Sequence, residues 1–81
     1  MKLKENNGQI THISSNEKPI EHSLLSGDIA RCFMLNGDLI EIKVKAVQGK
    51  KLSGVIATAN DDELLGVFVD FDLINVFGIT R

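Results

Sequence analysis

Asn36-Gly37 stands between two apolar-rich runs in residues 29–47, IARCFMLNGDLIEIKVKAV, and this dipeptide constrains the chain more than anything else in it. Asn and Gly reach positive φ at little cost, so the pair marks a tight reversal between two strands. Parity then selects the register. A two-residue loop would pair Leu35 with Asp38 and set Arg31 and Phe33 on the face of Ile40, Ile42 and Val44, driving a guanidinium into the core. A three-residue loop, Asn36-Gly37-Asp38, pairs Leu35 with Leu39 and Met34 with Ile40. Ala30, Cys32, Met34, Ile40, Ile42, Val44 and Ala46 then share one apolar face, with Arg31, Glu41, Lys43 and Lys45 outward. The odd loop, with a bulge in reserve, is therefore the expectation. It leaves Phe33, Leu35 and Leu39 outward, in need of cover from the N-terminal segment or from another subunit.

The rest of the chain after the hairpin reads as further strand. Gln48-Gly49-Lys50-Lys51 turns it into a third strand over residues 52–59, where Gly54 predicts the bend that a small barrel needs at a corner. An acidic turn at 60–63, NDDE, leads to a fourth strand over 64–71, with Leu65, Val67, Val69 and Phe71 inward and Leu64, Gly66, Phe68 and Asp70 outward. Phe71, Leu73 and Ile74 cannot share one face of a straight strand, so a single 3-10 turn is expected at 72–74 before a short fifth strand over 75–80. Upstream, residues 1–8 lack an apolar period and predict a frayed lead-in. Residues 9–14 read as a short strand and 14–19 as a turn; 19–25, PIEHSLL, fit a short helix or a strand. Residues 1–15 are thus expected to form a flexible or short-strand segment, and 16–81 a small barrel.

With 81 residues, the chain suits one domain that buries roughly 60–65% of its unfolded surface. Trp and Tyr are absent and only four Phe occur, so Ile, Val and Leu must fill the core and few rings remain on which bases could stack. One cysteine, Cys32, excludes an internal disulfide. Together with the lack of a signal-peptide pattern, it predicts a cytoplasmic setting and a buried, inert thiol. No run approaches the ~18 apolar residues of a membrane span. His12 and His22 have no ligand-spaced companions, so no metal or cofactor is expected. Asp61, Asp62 and Glu63 adjoin in a turn, the usual place for solvated carboxylates, and Ser23, Ser26 and Ser53 have no positioned base. A non-enzymatic protein without a small-molecule substrate is the expectation.

The formal net charge is −2, but charge is unevenly placed. Arg31, Lys43, Lys45, Lys50 and Lys51 stand within residues 31–51, whereas Asp61, Asp62, Glu63, Asp70 and Asp72 crowd the last third. On alternate outward positions and the adjoining turn, the five cations form a candidate stripe for sequence-nonspecific contact with RNA phosphates.

Met34-Leu35-Asn36-Gly37-Asp38-Leu39-Ile40 resembles the first hairpin of Sm-like proteins, including the bacterial Hfq type. Val69-Asp70-Phe71-Asp72-Leu73-Ile74-Asn75-Val76-Phe77 is similar to their strand, one-turn helix and last strand. The likeness covers roughly residues 29–79 and is shared in layout with the small inhibitors of the Rho termination factor, which bind protein. It implies an all-β, five-stranded, strongly bent antiparallel barrel of Sm-like or SH3-like kind. It also implies homo-oligomeric rings closed by pairing the fourth strand of one subunit with the fifth of the next. Leu64, Phe68 and Phe77 are the candidate edge residues. The family binds uridine through a loop after the second strand, with an Asp, an aromatic and an Asn, and through an Arg-Gly or Tyr-Lys-His before the last. Here those places read Val47-Gln48-Gly49-Lys50-Lys51 and Phe71-Asp72-Leu73, so no uridine-binding residue carries over, and Asp72 would repel phosphate. The expectation is a self-assembling interaction module that binds a protein partner, with RNA binding as the alternative.

Overall fold

Among the described residues, six strands form one sheet: β1 (Thr11–His12), β2 (Ile29–Phe33), β3 (Leu39–Gln48), β4 (Lys51–Ala59), β5 (Phe68–Asp72) and β6 (Gly78–Thr80). This computed structural model describes residues 2–6 and 26–80 together with the backbone of 11–12. The turn expected at 14–19, the helix or strand at 19–25, and His22 lie outside the described residues, as does the side chain of His12. The spatial order is β1-β6-β2-β3-β4-β5. Five strands run antiparallel to their neighbours, and the two-residue β1 adds in parallel to β6. β5 and β6 do not pair, so the barrel is strongly bent but open. Among the described residues the only helical turns are of 3-10 type, at Asp62–Leu64 and at Leu73–Asn75. The second is the expected turn before the last strand.

The hairpin keeps the predicted parity and moves its loop by one residue. Phe33 pairs with Leu39, and Met34 donates its N–H to the Asp38 carbonyl at 2.8 Å, which leaves Leu35-Asn36-Gly37 as the loop. The shift follows from the Asn36 carboxamide, which accepts from the Asp38 N–H at 2.9 Å, while Gly37 takes the positive φ of 96°. Because the parity is unchanged, Ala30, Cys32, Ile40, Ile42 and Val44 all point inward with no exposed surface. Leu52, Ile56, Val69, Phe71, Val76 and Ile79 complete the core.

Two register shifts on β3–β4 bend the sheet. One lies between Glu41 and Ile42, where Ala57 is the extra residue; the other lies between Val44 and Ala46, where Lys45 is. The second turns Ala46 out to solvent, against its expected place in the core. Gly54 sits opposite Val44 at this bend. A Cβ there would overlap the Lys43 carbonyl oxygen and lie 2.9 Å from the Ile42 Cγ2, so only hydrogen lets the strands come this close.

The fourth long strand is shorter than its alternation suggests. Asp61 accepts the Glu63 N–H at 3.0 Å and caps the 3-10 turn, and Gly66, with φ 81°, completes the reversal. Pairing with β4 in register starts only at Phe68, so Leu65 and Val67 are exposed instead of buried, while Leu64 folds partly against the core. The last strand likewise begins at Gly78 instead of Asn75, because Asn75 closes the second 3-10 turn.

Residues 2–6, read from sequence as a frayed lead-in, are fastened to the barrel by groups that periodicity does not register. The Lys4 N–H donates to the Phe33 carbonyl at 2.8 Å and the Asn6 N–H to the Ile74 carbonyl at 2.7 Å. The Asn6 carboxamide donates to the Val76 carbonyl at 2.9 Å, and the Asn75 carboxamide to the Lys4 carbonyl at 3.2 Å. Leu3 packs on the core beneath this strap and bridges to Met34.

Candidate interaction site

The two ends of the sheet differ. β6 carries β1 along its outer side, whereas among the described residues nothing pairs with the outer side of β5. The backbone of β5 shows which groups that leaves. The Val67 carbonyl accepts from the Ile56 N–H at 3.0 Å, and the Leu73 N–H donates to the Lys50 carbonyl at 2.9 Å. Odd-numbered residues between them therefore face β4, and Phe68, Asp70 and Asp72 present their amide groups to the free side. The Asp72 N–H is taken internally by the Asn75 Oδ1 at 2.9 Å. Phe68 and Asp70 are left with outward backbone donors and acceptors, and the Phe68 ring is 60% exposed.

Of the three candidate edge residues, Phe68 lies on the open strand. Leu64 packs partly on the core, and Phe77 stacks edge-on against Phe33 with ring centroids 5.0 Å apart, next to β6. That contact gives Phe33 the cover its outward position required. Leu35, 60% exposed, remains uncovered on the hairpin loop beside Leu3, Asp70 and Asp72, where a 280 Å³ groove runs along the β5 end.

The candidate cations do not form one stripe. Arg31 is set opposite Glu41 on β3 and is half-buried; its Nε is enclosed without a hydrogen-bond partner. Lys51 Nζ lies 3.1 Å from Asp72 Oδ1. Lys43, Lys45 and Lys50 are exposed, on β3 and on the β3–β4 turn. The Lys51–Asp72 contact ties the start of β4 to the end of β5. Between them a shallow cleft of 730 Å³ is lined by Val47, Gln48, Lys51, Leu52, Phe71 and Asp72. Sequence reading missed this ion pair, since only the Lys51↔Asp72 register reveals it.

Asp61, Asp62 and Glu63 are exposed on the first 3-10 turn, just before β5. No group of three or more His, Cys, Asp or Glu residues suited to a metal ion occurs among the described residues, and no helix of the structure is long and apolar enough to cross a membrane. Cys32 is fully enclosed, and burial pushes its thiol up to about 12, where it is neither nucleophile nor ligand. No family model, curated protein or solved structure matches this chain, which leaves the geometry of its edges and loops as the ground for a functional reading.

Proposed function

We propose that this chain is a non-catalytic interaction module: an Sm-like barrel that self-assembles and engages a protein partner through the rim of its sheet. One observation carries the proposal, the outer side of β5, unpaired among the described residues, with Phe68 exposed on it. An open strand offers main-chain hydrogen bonds to any extended segment, and an exposed ring beside it adds apolar contact. Ring closure by β5 against the last strand of a neighbour needs the outer side of β6, so β1 must first leave it. Sedimentation velocity over a wide concentration range tests the reading. The wild type is expected to grow in mass or to capture a partner segment, and Phe68→Glu to weaken both. A strict monomer that binds no peptide under any condition defeats it.

Sequence-nonspecific RNA binding is the second reading, favoured by the exposure of Lys43, Lys45 and Lys50. It ranks lower because Lys51 is paired with Asp72 and Arg31 is half-buried on β2. If only three lysines meet phosphates, log affinity for single-stranded RNA should fall with log salt at a slope of about −2. A steeper slope would promote this reading to first place.

A further inference from the structure

Charge identifies what the open strand takes. From the sheet's free side, β5 presents Asp70 and Asp72, and the turn leading into it presents Asp61, Asp62 and Glu63. Cations nearby include Lys51, already paired with Asp72, Lys50 on the β3–β4 turn, and Lys2 in the groove beside the strand. A second copy offering its own β5 would bring the same five carboxylates. Pairing about a twofold axis at Asp70 sets that carboxylate against itself. The apolar parts of the site, Phe68 at one end and Leu3 with Leu35 in the groove at the other, suit alternate side chains of an added strand.

Resting on the reading of β5 as an interaction edge, we infer that its partner is an extended protein segment carrying Lys or Arg at alternate positions, added to β5 as a further strand. The segment's main chain bonds the outward amide groups of Phe68 and Asp70. Its cations meet Asp70 and the acidic turn, and its intervening apolar residues cover Leu3 and Leu35.

The test uses the full chain with two synthetic peptides, one alternating Lys and Val and the other Glu and Val. The Lys-Val peptide is expected to bind, to lose affinity as salt rises, and to slow hydrogen exchange at the Phe68 and Asp70 amides. The Glu-Val peptide is expected to show no binding. The double variant Asp62→Lys with Asp70→Lys should lower affinity for the Lys-Val peptide by at least about tenfold and raise it for Glu-Val. These two positions are chosen because Asp61 caps the 3-10 turn and Asp72 holds Lys51. Equal binding of both peptides, unchanged exchange at Phe68 and Asp70, or indifference to the double reversal overturns the inference. If it falls while the wild type still self-associates in a Phe68-dependent way, the interaction module survives with a different partner. If self-association is absent too, both fall.

Discussion

Replacing Gly54 by alanine isolates what bends this barrel, because two effects of opposite sign compete there. Gly54 is not at positive φ, so alanine can adopt its backbone conformation. In an uncrowded strand the exchange would stabilise by about 0.4–1 kcal/mol, through the lower entropy of the unfolded chain. At this position the new methyl would overlap the Lys43 carbonyl oxygen and lie 2.9 Å from both the Lys43 carbonyl carbon and the Ile42 Cγ2. A main-chain oxygen held in a ladder cannot rotate away, so β3 and β4 must separate at Val44↔Gly54 and loosen the Ile42↔Ile56 contact beside it. Overpacking costs about 1–3 kcal/mol where side chains can adjust, and backbone displacement puts this case at about 3 kcal/mol or above. At about 0.05–0.15 kcal/mol per residue, 81 residues hold about 4–12 kcal/mol in all, so the loss is a large share. The corresponding fall in Tm is about 12–24 °C. With neither Trp nor Tyr in the chain, urea and thermal melts are best followed by far-UV circular dichroism. Gly49→Ala serves as the control: its site has open space and φ 62°, so it carries backbone strain without a clash and should cost about 1 kcal/mol. A Gly54→Ala protein that melts at or above the wild type would refute the close approach as the cause of the bend.

Cys32 should resist thiol reagents in the native state at about pH 8 and react promptly in urea. Its folded-state pKa of about 12 lies above the ordinary 9.0, so the folded protein keeps a proton that the unfolded chain releases. Stability is therefore full below pH 9.0 and falls as pH rises from there to about 12; Cys32→Ala should remove this part of the slope when urea melts are compared. Asn75→Ala deletes the acceptor for the Asp72 N–H and the donor to the Lys4 carbonyl, so it should cost about 1–3 kcal/mol and speed hydrogen exchange at Lys4 and Asn6. Unchanged exchange there would mean that Asn75 does not hold the strap. Lys51→Ala breaks an ion pair whose side chains are 79% and 49% exposed, so it should change stability by less than about 1 kcal/mol. A larger loss in a urea melt would assign Lys51 a packing role in the cleft.

Much of the fold was legible because alternation and turn chemistry agree along residues 29–44. Arg31 could not enter the apolar core, which fixed the parity of the hairpin, and parity alone fixed five core residues. The misplaced positions share a cause: alternation is blind to a residue inserted without a partner. Lys45 is such a residue and turns Ala46 outward; the 3-10 turn capped by Asp61 delays β5 until Phe68 and exposes Leu65 and Val67. Residues 2–6 were misread because their attachment is through backbone groups and carboxamides, with Leu3 the one apolar anchor. Of the candidate site, Phe68 and the acidic turn were visible in sequence. The pairing of Lys51 with Asp72 depends on the register between β4 and β5, which the 3-10 turn at Asp62–Leu64 shifts and no local pattern encodes.

β1 lies parallel on β6, so among the described residues the sheet has a stoppered end and a vacant one. A molecule with two sticky ends propagates into filaments, whereas one with a single vacancy stops after its first guest. On the proposed reading of β5 as an interaction edge, a β1 that stays in place would leave room for one added strand and so block open-ended polymerisation.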